Sequence, residues 1–365
     1  MTKIRNATLA DLPQVSSLQR RHDLEAKPQE EWERFWLGNP ARGALPIGWV
    51  IADESRGAGN EVAGFLGNIP LEYYFQGTKL LAAATHSLVV EEAYRQHVLP
   101  LVARFVAQRE PGLLLNTTAN AEAERIFSAL RFRRTPAPEY DVALYWITEP
   151  RGFAESALRK HGVAAPLARF AAIPASLAPG FLFSASARAD SAGSRIEVLS
   201  GFASDFDAFW ARLSARSRFL LAARNPETLV WRYERARETG RLKILGRRDA
   251  EGRLAAYALL YREDVPKTGL KRVRLLDFQA MPGENEALES LVAAAIVMCR
   301  EEGIHMFEAI GFEGATRARL KAMGARSRRL PAWMFYFKAR DAELDKALQS
   351  EENWNPSSYD GDGGL

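Results

Sequence analysis

The chain has 365 residues, 47% of them hydrophobic and 26% charged, with a formal net charge of +4. That length exceeds one ordinary domain and implies two, and the composition excludes a disordered chain. The small, Arg-based positive excess fits a solvated surface and admits a phosphate-bearing ligand without calling for nucleic acid. The lone Cys299 excludes an internal disulfide and a cysteine-built metal site.

In chain order, Ile4–Ala7 reads as a strand, and Thr8 to Asp11 starts a helix with Leu12, Val15 and Leu18 on one face. Gln29–Leu37 is a second helix carrying Trp32, Phe35 and Trp36. Trp49–Asp53 and Val62–Pro70 are strands, extended by Leu71–Gln76 into a turn at Gln76–Gly77. Leu80–Val90 is a buried strand, Glu91–Gln96 a polar turn and Val98–Gln108 a helix stopped by Pro111 and Gly112. Leu113–Thr118 is a short buried strand, Asn120–Phe132 an amphipathic helix and Asp141–Ile147 a closing strand.

From Glu149 to about Arg195, Ala, Pro, Ser and Gly dominate, which predicts a linker with one or two short helices. Arg195–Leu199 is then a strand, and Asp205–Leu213 and Asn225–Tyr233 are helices, the latter with Pro226 in its first turn. Leu242–Arg247, Leu254–Arg262 and Lys271–Ala280 are strands, followed by helix Asn285–Arg300, strand His305–Ile310, helix Gly314–Met323 and strand Trp333–Lys338. The second half therefore repeats the element order of the first. The predicted units are 1–148, a linker 149–194, 195–340 and a tail 341–365, whose end is expected to be solvated.

The stretch Leu80 to Phe132 resembles the acyl-CoA core of the GNAT acyltransferase superfamily, and the opening IRNATLADLPQVSSLQ resembles that family's first strand and helix. Arg95 stands in the place of the Arg of the family's R-x-x-G-x-G/A turn, Asn120 in that of its helix-opening Asn, and Phe132 in that of its closing Phe. Val98, Pro100 and Arg131 replace the family's small residues, and Phe127 stands where many relatives have the Tyr that protonates the thiolate. The phrases LVWRY and W-x-P-S-x-Y-D-G-D (Trp354 to Asp362) resemble bacterial tandem GNAT-like proteins, some associated with surface polysaccharides and amino sugars. The fold class expected is α/β (α+β): two GNAT-like acyltransferase folds in tandem, each a mixed, mostly antiparallel sheet flanked by helices.

The resemblance implies an N-acyltransferase that takes acetyl-CoA or another acyl-CoA as co-substrate. Its acceptor would be a small-molecule amine, such as an amino sugar. Leu88, Val89 and Val90 would polarise the thioester carbonyl, and the strands would part after Val90. Arg95, Gln96, His97 and Val98 would hold phosphates at a helix start. Asn116 would bind pantetheine amides, and Asn120 is also read as an N-cap. His86, polar in an apolar strand, and Glu72 are the candidate bases. Tyr73, Tyr74, Asp277 and Gln279 are candidate acceptor contacts, although the residues favour for Asp277 a structural ion pair with Arg274 or another Arg of this basic chain. No metal site is expected. The polar opening Met1–Leu9 reads as no leader, and no apolar run reaches the roughly 20 residues of a membrane span, so the expected location is cytoplasmic. Two other readings stay open: a binding or scaffolding protein that kept the fold and lost the chemistry, and an aminoacyl-tRNA-dependent transferase.

Overall fold

The computed structural model describes residues 1–24, 26–173 and 196–364. The strands, in order, are β1 Thr2–Asn6, β2 Gly48–Asp53, β3 Val62–Phe75, β4 Thr78–Val90, β5 Leu113–Ala119, β6 Arg133–Arg134, β7 Val142–Ile147, β8 Ile196–Leu199, β9 Leu221–Ala222, β10 Leu242–Arg248, β11 Leu254–Arg262, β12 Arg272–Ala280, β13 Met306–Ala309, β14 Arg326–Arg329 and β15 Met334–Ala339. The helices are α1 Leu12–Arg21, α2 Gln29–Leu37, α3 Val98–Val106, α4 Ala121–Ala129, α5 Pro150–Lys160, α6 Ala165–Ala171, α7 Ser204–Arg216, α8 Pro226–Glu238, α9 Ala287–Glu301, α10 Gly314–Ala322 and α11 Ala342–Ala347. The predicted linker begins as α5 and α6; its remainder, 174–194, lies outside the described residues.

Two sheets form. The first runs β1-β2-β3-β4-β5-β15-β6 with β9 on β3, and the second runs β14-β7-β13-β12-β11-β10-β8. Both are antiparallel except for one central parallel pair each, β4 with β5 and β12 with β13. Small residues open the centre of the first sheet. Ala82 and Ala84 face one core, shared with Trp32 and Leu115, while Ala83 faces the other, shared with Phe105 and Phe127. On α3, the stripe Leu101, Val102 and Phe105 is buried on that second face.

The closing strands depart from the expected order. Strand β7, which the sequence places at the end of the first half, lies in the second sheet, with Phe307 opposite Trp146. Strand β15, from the end of the second half, lies in the first sheet against β5. The two halves therefore exchange their last strands. They also share one continuous core, in which Phe35 stacks on Trp231 at 5.6 Å and Trp231 Nε1 donates to the Phe35 carbonyl at 3.0 Å. Among the described residues, no helix is long and apolar enough to cross a membrane.

Candidate active site

The pairing of β4 with β5 ends at Ala84–Leu115, while β4 continues to Val90 and β5 to Ala119. The strands thus part six residues earlier than Val90, the position expected from sequence. The cause is a bulge: β4 spends Ser87 and Leu88 opposite the single Leu66, between the pairs Gly67–His86 and Phe65–Val89. Ser87 holds φ +52°, and its hydroxyl accepts from Gln19 Nε2 of α1 at 3.0 Å. The extra residue inverts the alternation of side chains. His86 points to the first core, edge-on to Trp32 with ring centroids 5.6 Å apart, whereas Leu88 and Val90 pack on the α3 side and Val89 returns to the first core. A reading that alternates without interruption cannot locate this switch. Leu88 and Val90 stay partly exposed at the rim.

The expected phosphate turn is a 3-10 helix, Glu92–His97, leading into α3. Arg95 and Gln96 are exposed, as a phosphate grip requires, and His97 is half-buried. The donors are few. The Val98 N–H already donates to the Arg95 carbonyl, and Pro100 has no N–H to offer. Asn120 caps α4, its Oδ1 accepting from Glu122 N at 3.1 Å and Ala123 N at 2.9 Å. Asn116 is buried one residue beyond the parting, opposite Tyr336.

The C-terminal tail is not a solvated end. From Trp354 to Gly361 it is largely buried, and between Ser357 and Asp362 it contacts both strand partings. At the second one, which follows Leu275–Ala309, the Ser357 hydroxyl donates to Asp277 at 2.9 Å and the Ser358 hydroxyl to the Ile310 carbonyl at 2.8 Å. Trp354 packs edge-on to Phe335 and Phe337. The Tyr359 ring lies between the guanidinium groups of Arg224 at 4.5 Å and Arg232 at 4.2 Å, while Arg232 also donates to the Tyr359 and Gly361 carbonyls. At the first parting, the Asp362 carboxylate accepts from the Thr117 hydroxyl at 2.9 Å and the Thr118 hydroxyl at 3.0 Å. Its other oxygen lies 3.5 Å from His86 Nδ1. Asp362 thus spans the gap between β4 and β5 on the first-core face. No residue spacing signals this contact, which joins positions 245 apart.

Several expected site residues lie elsewhere. Glu72 pairs opposite Leu81, five positions along β3 from Gly67, the partner of His86. That is about 16 Å at strand rise, so the two candidate bases do not share a site. Glu72 instead holds Lys79 and accepts from the Tyr74 hydroxyl at 2.6 Å. Tyr74 packs on Trp210. Tyr73 is buried and donates to Asp360 at 2.7 Å, and burial pushes its hydroxyl pKa far up. Both tyrosine hydroxyls are committed to carboxylates of this chain. Asp277 is fully buried and receives Arg224 Nε at 2.8 Å and Nη2 at 2.9 Å, together with Tyr257 at 2.8 Å. Burial pushes its carboxyl pKa up, but Arg224 outweighs that and the net shift is down. Gln279 is spent between Asp277 and Asn355. The ion-pair reading of Asp277 holds, with Arg224 as partner, and no room remains there for a substrate amine.

No family model matches the sequence, and no curated protein matches it. Solved structures do. A probable N-acyltransferase from Enterococcus faecalis V583 aligns with TM-score 0.58 at 11% identity, covering 93% of this chain and 72% of that one. A GCN5-related N-acetyltransferase from Anabaena variabilis aligns at 0.56 and 13%, covering 95% and 74%. The N-myristoyltransferase of Saccharomyces cerevisiae, solved with bound myristoyl-CoA, aligns at 0.56 and 13%, covering 93% and 79%. At these identities the likeness shows the fold. This chain has two mostly antiparallel, helix-flanked sheets of the GNAT type in tandem, as the sequence resemblance implied.

Proposed function

We propose that this chain is an acyl-CoA-dependent N-acyltransferase whose reaction takes place at the parting of β4 and β5. The observation that carries the reading is the unpaired edge of β4 from Thr85 to Val90 beside the bulge at Ser87. A strand edge without a partner offers backbone N–H groups that can hold a thioester carbonyl and the charge that develops on its oxygen. The acceptor amine attacks that carbon, a C–N bond forms, and the C–S bond breaks with its electron pair on sulfur. His86 at the mouth takes the proton from the amine. The thiolate draws its proton from solvent, because Phe127 has none to give.

The tail bonds at both partings, through Ser357 and Ser358 at the second and Asp362 at the first; only the first has an imidazole, His86, beside it, which favours the first half as the working one. The phrase Trp354–Asp362 is committed to internal packing, so it no longer argues for an amino sugar, and we assign the acceptor only as a primary amine. The scarce donors at Val98 and Pro100 favour one competitor, a binding protein that kept the fold and lost CoA. Calorimetric titration with acetyl-CoA and longer acyl-CoAs separates the two. Binding of at least one, with CoA thiol released when an amine is added, supports the transferase. Absence of heat and of thermal shift with all of them overturns it.

A further inference from the structure

Asp362, like the buried Asp360 of the same tail, makes no Arg or Lys salt bridge among the described residues, whereas Asp360 is held instead by the Tyr73 hydroxyl and Ser357 N. Asp11 is held by Arg5, Asp141 by Arg134 and Arg329, Asp277 by Arg224, and Glu308 by Arg272, Arg274 and Arg328. The Asp362 side chain is only 11% exposed, and among the described residues its one salt-bridge partner is His86. Burying a carboxylate without a cation is costly, in a chain that has 49 Lys and Arg to supply one. Its position is also fixed in advance. Thr117 and Thr118 donate to it from β5, and Gly361, at φ +58°, lies so close to Thr117 that a Cβ would overlap that side chain. His86 Nδ1 is buried without a hydrogen bond, while 13% of the side chain stays exposed, so that exposure falls on its other atoms.

We propose that Asp362 is a positioning residue for His86, supplied in trans to the first fold by the C-terminal tail; this rests on the transferase reading above. In this proposal the 3.5 Å contact tightens into a hydrogen bond once substrate is bound, so that the carboxylate keeps the imidazole proton on Nδ1 and the Nε2 lone pair accepts. In the reaction the amine N–H bond breaks and its proton goes to Nε2. The carboxylate then balances the imidazolium until solvent takes that proton back. The group handled at this mouth is therefore a primary amine that is neutral when it attacks and becomes cationic as the C–N bond forms, the one proton it sheds going to Nε2.

The test uses the full chain labelled with 15N-histidine, with the His86 signal assigned through His86→Gln. The wild-type spectrum is expected to show the Nδ1–H tautomer, and Asp362→Asn to move it toward Nε2–H. In transfer assays Asp362→Asn is expected to lower kcat by roughly 100-fold, the lower end of what a general base contributes, with acyl-CoA affinity unchanged and part of the rate restored by Asp362→Glu. An Nε2–H tautomer in the wild type overturns the proposal, as does a kcat unmoved by Asp362→Asn. If no acyl-CoA binds at all, the transferase reading fails, while the tautomer spectrum still decides whether Asp362 governs His86.

Discussion

Arg224 and Asp277 face each other with no solvent exposure on either side chain, and two guanidinium nitrogens reach the two carboxylate oxygens at 2.8 and 2.9 Å. Arg224 comes from the loop after β9 and Asp277 from β12, so the pair fastens α8's entry loop to the centre of the second sheet. Removing one member leaves the other charged and buried. Asp277→Asn is expected to cost about 3 to 5 kcal/mol of folding stability, read as a fall in the urea midpoint; a loss under 1 kcal/mol would contradict the arrangement.

The Glu308 cluster gives the chain an acid limit. Burial pushes the Glu308 carboxyl pKa up, but Arg274, Arg272 and Arg328 outweigh it and hold the net value below the ordinary 4.5. A value lowered in the folded state contributes stability that is complete above pH 4.5 and is lost as pH falls through the depressed value. Unfolding midpoints are therefore expected to be flat near neutrality and to drop below about pH 4, with a shallower drop in Glu308→Gln. A midpoint that rises on acidification would contradict this sign.

Phe127 stands where relatives place an acid, and it is fully buried against Phe132, with ring centroids 4.9 Å apart. A hydroxyl there meets apolar neighbours. Phe127→Tyr is expected to cost about 1 to 3 kcal/mol and to leave kcat unimproved. A gain in rate would show that this side of α4 faces the reaction.

Val98 and Pro100 limit the anion grip at the start of α3. The double substitution Val98→Gly, Pro100→Ala removes a Cβ and returns an N–H. One recovered hydrogen bond to a phosphate is worth about 1.4 kcal/mol or more, so acyl-CoA is expected to bind about 10-fold tighter in calorimetry. Unchanged affinity would place the phosphates elsewhere.

The strand exchange predicts mutual dependence of the halves. A fragment 1–148 carries β7, whose Leu144 and Trp146 belong to the second core, and it lacks β15, which covers the edge of β5. Each half alone is expected to aggregate, and the two co-expressed fragments are expected to elute together from a sizing column. A monomeric, cooperatively folding 1–148 fragment would refute the exchange.

Local pattern in the sequence was enough to find the strand-turn-helix-strand-helix unit twice, the cap of Asn120 and the polar His86 inside an apolar strand. Each of these is decided within a few residues, by side-chain period and capping chemistry. The tertiary structure alone decided which sheet β7 and β15 join, which Arg meets Asp277, where β4 leaves β5 and where the tail lies. An apolar strand such as Val142–Ile147 presents the same hydrogen-bonding edge to β5 as to β13, so its period names the element without naming its partner. Asp362 reaches Thr117 only because packing brings positions 245 apart together, and nothing in the residues around either one records that approach.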